Sequence, residues 1–216
     1  MGVRAKRWAR ERSRGLRRER ALWRTGILRI AGVDEVGMGP LAGPVVAAAV
    51  VLPKNVRIDG VRDSKLVPRH VRERLGAEIA EVALGVGIGV ADVLEVDRLN
   101  IYHAALRAMA RAVAALPEVP EHLLIDARRI PDCSIEQTSI IDGDASVYSI
   151  AAASIVAKVH RDRMMVELAE RYPGYGFDRH SGYATKTHFA ALHKLGPCPA
   201  HRRSFAPVRQ LLGPTD

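Results

Sequence analysis

Apolar and polar positions change period repeatedly along the chain, and those changes mark its elements. Residues 27–33 form an apolar run ending at Asp34, which predicts a strand. Val45 to Leu52, rich in β-branched residues and following a Gly/Pro turn, predicts its hairpin partner. Helical spacing covers Val67 to Ala83, with Pro68 near the first turn. Gly85 to Val90 alternates Gly with Val or Ile, as in a strand that other backbone approaches closely. Leu94 to Leu116 predicts one long helix, capped by Asp92 and stopped before Pro117. His122 to Ile125 reads as a short strand running into Asp126, and Ile135 to Ile141 as another. Ser146 to Arg171 predicts a second long helix, ended near Pro173-Gly174. Thr185 to Leu195 predicts a helix with Thr185 as cap and Gly196 past its end, and Ala206 to Leu212 a last turn or two.

An opening hairpin followed by alternating helices and strands predicts an α/β layered fold with a mixed central sheet flanked by helices. Sites in such sheets gather at strand ends. Asp34 and Asp126 each follow a strand directly, so they converge if those strands are parallel neighbours. With Glu35 and Asp144 they make four candidate carboxylates. Gathered carboxylates repel one another unless a cation neutralises them. Hard oxygen ligands suit Mg²⁺ or Mn²⁺ better than zinc. Two such ions would activate a water and stabilise the attacking and leaving oxygens of a phosphodiester. The turn Gly37-Met38-Gly39-Pro40 beside this acid pair bares backbone N–H groups that can hold a phosphate. Neighbouring strand residues face opposite ways, so Asp34 and Glu35 share an ion only if the chain turns between them. Asp144, in the turn before the second long helix, also reads as an N-cap.

Other chemistry is weakly signalled. His180, His188, His193 and His201 lie in the last quarter, but there is no HExxH pattern, and no cysteine partner comes with them. Cys133 and Cys198 form no C-x-x-C pair, which fits a reducing compartment. The basic residues of AKVHRDRMM (157–165) read as the solvated face of a helix, with Met164 and Met165 packing. No apolar stretch is long enough to cross a bilayer, and no secretory signal precedes the body, so a cytoplasmic protein is expected.

Charge adds one feature. The net charge is +9, and residues 1–29 hold 11 Lys or Arg against 2 Asp or Glu. The rest is balanced at 22 of each, so the whole excess lies in an N-terminal arm that can add salt-sensitive attraction to phosphates. The expected organisation is a basic arm over residues 1–26 and a catalytic domain over 27–216, with a C-terminal helical segment from residue 173.

GVDEVGMGPLAGPVVAAAVVLP (32–53) resembles the opening motif of ribonuclease HII. The likeness continues through DSKL (63–66), LLIDA (123–127), GDASVYSIAAASIVAKVHRDRMM (143–165), YPGYGFDRHSGYATKTH (172–188) and HRRSFAP (201–207), in the family's order. The resemblance implies an RNase H-like fold and cleavage of RNA within RNA–DNA hybrids. It also implies cutting on the 5′ side of single ribonucleotides in duplex DNA, leaving a 3′-hydroxyl and a 5′-phosphate. It places the family's four acids on Asp34, Glu35, Asp126 and Asp144, around two divalent ions with Asp34 bridging. It raises Asp144 from a cap to a ligand. It puts substrate sensing on the turn Gly37-Met38-Gly39 and on Tyr183, with Lys65 near the phosphate backbone, in a chain expected to be a monomer. Three residues depart from the family pattern. Met38 stands where arginine is expected, Ser181 replaces a lysine near Tyr183, and Asp142 stands where lysine is common. The competing readings are a ribonuclease HIII-like enzyme, which carries an additional N-terminal domain, and a non-catalytic hybrid-binding protein, which would lack one of the acids.

Overall fold

The run VVAAAVV is buried at every position, which places it inside a sheet covered on both faces. The computed structural model describes residues 15–212. Its elements in chain order begin with α1 (Arg17–Arg24), β1 (Ile30–Val36), β2 (Val45–Val51) and a 3₁₀ turn at Ser64–Leu66. Next come α2 (Arg69–Val82), β3 (Gly85–Ala91), α3 (Val93–Leu99), α4 (Ile101–Ala114), β4 (His122–Asp126) and β5 (Glu136–Ile140). The chain continues with α5 (Gly143–Ser146), α6 (Tyr148–Arg171), α7 (Phe177–His180), α8 (Lys186–Leu195) and α9 (Ala206–Leu212).

The sheet has the order β3-β2-β1-β4-β5. β1, β2 and β3 are antiparallel neighbours, whereas β4 runs parallel to β1 and β5 parallel to β4. The mixed sheet and its flanking helices are as expected. β1 differs in extent: it starts at Ile30 and continues through both acids, because its ladder with β2 runs on to Val36↔Val46. The chain therefore does not turn between Asp34 and Glu35.

One face of the sheet packs on α6 and α2, through Ile150, Ile155, Leu75 and Ile79. The other packs on α4, through Ala108, Met109 and Ala112. The glycines of β3 permit that second contact. A Cβ on Gly87 or Gly89 would collide with the carbonyl of Ala112 or Ala108. The single helix expected over 94–116 is two. Asn100, at φ 67°, breaks it, and its side chain accepts from the N–H groups of Tyr102 and His103 to cap α4. Asp92 does cap α3, in a reciprocal box with Glu95.

The second long helix is also preceded by a break. α5 is a single turn, Val147 is extended, and α6 begins at Tyr148 with no cap of its own. Glu19 of α1 supplies one, accepting from the Ser149 N–H and hydroxyl at 2.9 Å each. Leu16 and Trp23 are buried beside it, so α1 packs on the body, and residues 1–14 of the basic arm lie outside the described residues. After α6 the C-terminal segment builds a third apolar cluster from Leu41, Met165, Phe177, Leu192 and Val208. Thr185 caps α8 as expected. Among the described residues, no helix is long and apolar enough to cross a membrane.

Candidate active site

The register Val33↔Ile125 between the parallel strands β1 and β4 sets Asp34 beside Asp126, where the ladder between them stops. Ligand oxygens of Asp34, Glu35 and Asp126 all lie within 4.8 Å of one another. Two neighbouring strand residues thus bring ligand oxygens to one point without a turn between them. Asp34 folds back to accept from the Glu35 N–H at 2.8 Å. Glu35 takes the Arg128 guanidinium at 2.6 Å on one oxygen. Its other oxygen is buried with no partner among the described residues. Arg128 is placed by the loop between β4 and β5, which Gln137 ties down by accepting from the Ile130 N–H and donating to its carbonyl.

Burial raises the Asp34 carboxyl well above the ordinary aspartate range, and the charges of Glu35 and Asp126 raise it further. Burial also raises Glu35, opposed by Arg128. Asp126 is raised by burial, with the Gly143 N–H at 2.7 Å pulling the other way. Buried like charges without enough counter-charge, together with an orphaned carboxylate oxygen, fit a divalent cation bound by hard oxygens.

Asp144 stands apart from that trio. It sits inside the single turn α5, behind the N-cap position Asp142, and extended Val147 separates it from α6, so it is not the N-cap of the long helix. It is nearly buried, and its charge reaches both Asp34 and Asp126. The mostly exposed Lys65 reaches over to it at 3.1 Å, and that bond raises the Lys65 ammonium. Asp142 adopts a left-handed backbone ahead of α5, at φ 53°.

The turn after β1 lies beside this centre. Gly37 is buried at φ +96°, and Gly39 is exposed. Met38 packs on the apolar cluster of the α4 face. A Cβ on Gly39 would lie 3.8 Å from the ring of Tyr183, so the half-exposed tyrosine leans on the turn. Tyr183 is held from below. Three of the four histidines of the last quarter, His180, His188 and His201, are gathered there. His188 Nδ1 donates to the Tyr183 carbonyl at 2.8 Å, its Nε2 meets His201 Nε2 at 3.1 Å, and His180 stacks on His188 at 4.4 Å. Cys198 joins them, with Sγ 3.1 Å from His201 Nδ1. Burial lowers His201 to about 4 and lowers His188 as well, so His201 is neutral near pH 7.

Sequence reading misplaced one residue and missed two. Arg161, expected on a solvated face, is fully buried on α6, while Met165 packs as expected. Steps of three or four through Ile150, Ser154, Ala157, Arg161 and Met165 put it on the buried stripe, a signal present in the periodicity. Arg202 is also fully buried, and Arg128 has no signal beyond its place three residues after Ile125.

A mixed sheet with carboxylates converging where the ladder between adjacent parallel strands stops is the arrangement expected of an RNase H-like nuclease. The family model described as ribonuclease HII matches residues 31–208. The chain belongs to the ribonuclease HII family. A ribonuclease HII of Geobacillus thermodenitrificans is 56% identical over 198 residues, which span 92% of this chain and 76% of that one. One from Myxococcus xanthus is 56% identical over 199 residues, spanning 92% and 68%. The crystal structure of ribonuclease H2 from Pyrococcus horikoshii superposes with a TM-score of 0.73 at 26% identity, covering 85% of this chain and 97% of that one. The chain is accordingly a ribonuclease H, a divalent-metal-dependent hydrolase acting as an endonuclease on RNA–DNA hybrids.

Proposed function

We propose that this enzyme cuts duplex DNA on the 5′ side of a single embedded ribonucleotide, leaving a 3′-hydroxyl and a 5′-phosphate, and so opens the way to ribonucleotide removal. It would act as a monomer in the cytoplasm, where Cys133 and Cys198 remain free thiols. The observation that carries this reading is the convergence of Asp34, Glu35 and Asp126 beside a turn and a tyrosine that can meet a sugar.

Asp34, Glu35, Asp126 and Asp144 would hold two ions, Mn²⁺ or Mg²⁺. When bound, these supply Lewis-acid stabilisation of the charge on the scissile phosphodiester. The chain's own residues do the rest. Arg128 and Lys65, now paired with Glu35 and Asp144, are placed to neutralise phosphate charge once the carboxylates turn to the ions. Backbone N–H groups at Gly37, Met38 and Gly39 read the 2′-hydroxyl, and the Tyr183 ring stacks on the sugar at the junction. His188 beneath holds the Tyr183 carbonyl in place.

The test is a DNA duplex carrying one ribonucleotide. With Mn²⁺ or Mg²⁺, a single cut 5′ to it is expected, lost in EDTA and reduced at least about 10³-fold in Asp34→Asn. Cleavage that persists in that variant would reject the assignment.

A further inference from the structure

Beneath the Gly37–Pro44 turn lie Arg161 of α6 and Arg202 of the C-terminal segment, both fully buried. Among the described residues neither has a carboxylate at ion-pair distance. Buried cations without counter-ions are costly unless dipoles solvate them. Here the dipoles are backbone carbonyls. Arg161 donates to those of Pro44 at 3.0 Å, Ala42 at 3.1 Å and Ser181 at 3.0 Å. Arg202 donates to those of Gly43 at 3.0 Å, Met38 at 3.2 Å and Gly37 at 2.6 Å. The glycines make room for this: a Cβ on Gly37 would strike the Arg161 side chain and come within 2.8 Å of the Pro44 carbonyl.

We propose that Arg161 and Arg202 are positioning residues that aim the ribonucleotide-reading groups, a step that rests on the reading of the turn given under Proposed function. In a trans peptide the carbonyl and the following N–H point in opposite directions. Drawing the Gly37 and Met38 carbonyls inward onto Arg202 therefore turns the Met38 and Gly39 N–H groups outward. No acceptor among the described residues takes either of them. Arg161 links the turn to the Tyr183 loop, because it holds Ala42 and Ser181 together. The adjoining backbone bond from the Leu41 N–H to the Gly182 carbonyl, at 2.8 Å, closes the same joint. The two guanidinium charges also stand behind the outward N–H groups. They give positive potential to a turn to which Met38 brings no charge. The ligand they favour is an electron-rich sugar–phosphate edge bearing a 2′-hydroxyl.

The test compares wild type with Arg202→Lys and Arg161→Lys, each checked for folding by circular dichroism. Lysine keeps the charge but not the planar fork. For the single-ribonucleotide duplex, KM is expected to rise about tenfold with a smaller fall in kcat. Preference over an all-RNA hybrid should shrink accordingly. Folded variants with unchanged KM and unchanged preference would overturn the proposal, as would an equal loss of kcat on both substrates. Amide exchange on the wild type gives a second arm that needs neither folded variants nor activity. The Leu41 and Gly43 N–H groups, bonded to Gly182 and Ala200, should exchange as slowly as those of Gly32 and Val33 in β1. Rapid local opening at Leu41 and Gly43 would overturn the clamp. Wild type that leaves the single-ribonucleotide duplex uncut would instead retire the parent reading, and the exchange arm separates the two failures.

Discussion

Asp34 bears most of the tension in this molecule. It is almost fully buried, and three other carboxylates raise its carboxyl, so its charge opposes folding until a cation arrives. Its bond from the Glu35 N–H survives replacement by asparagine, whose carbonyl oxygen can accept in the same place. Asp34→Asn should therefore stabilise the metal-free protein while removing its activity. In EDTA the expected gain is about 1 kcal/mol, a rise in melting midpoint of roughly 2–4 °C. Adding Mn²⁺ should raise the wild-type midpoint more than that of the variant. A midpoint lowered by Asp34→Asn in EDTA would show that local hydrogen bonds outweigh the repulsion. Glu35 shares the burial but has Arg128 as partner, so the same substitution there should not give this gain.

At the scale of elements, α4 rests on the bare backbone of β3, and no side chain separates them at Gly87 and Gly89. Gly89→Ala would drive a methyl group into the Ala108 carbonyl, and helix and sheet must separate. A loss of about 3 kcal/mol or more is expected, read as a lower urea midpoint with unchanged m-value. An effect under about 0.5 kcal/mol would mean that α4 shifts freely. The alternation of Gly with Val and Ile announced this contact, because small residues at every second position leave one face of a strand bare. Other features were hidden for equally physical reasons. The break at Asn100 is invisible to periodicity, since α3 and α4 turn their apolar residues to the same layer. The register Val33↔Ile125 is long-range pairing, so the sequence could state the meeting of Asp34 and Asp126 only as a condition. The extension of β1 through Glu35 depends on the ladder from β2, which no local propensity reports. The burial of Arg161 could be read from the stripe of α6, but that of Arg202 was hardest to foresee, and the partners of both are carbonyls far along the chain, which every residue offers.

At the scale of the whole molecule, the division of charge between arm and body predicts a salt-sensitive contribution to how the enzyme meets its substrate. The net charge lies entirely within residues 1–29, yet that segment is not uniform. Residues 1–14 hold 6 Lys or Arg and 1 Asp or Glu. From Leu16 onward the chain is tied to the body by Leu16, Trp23 and the Glu19 carboxylate on the first turn of α6. A working boundary before Gly15 is proposed beside the expected one after Gly26, and two truncations distinguish them. Removing residues 1–14 should leave the melting midpoint and the kcat at saturating hybrid unchanged. It should flatten the plot of log affinity against log salt concentration by a few units of slope, because fewer counterions are released from the phosphates. Removing residues 1–26 strips the cap from α6 and exposes the apolar surface under Trp23, so stability should fall by about 2–4 kcal/mol. Since α6 also carries Ser154 against Asp34 and Arg161 beneath the turn, cleavage should fall with it. Equal stability for the two truncations would show that α1 contributes nothing to the body. An unchanged salt slope after loss of residues 1–14 would show that the arm's charge does not reach the duplex.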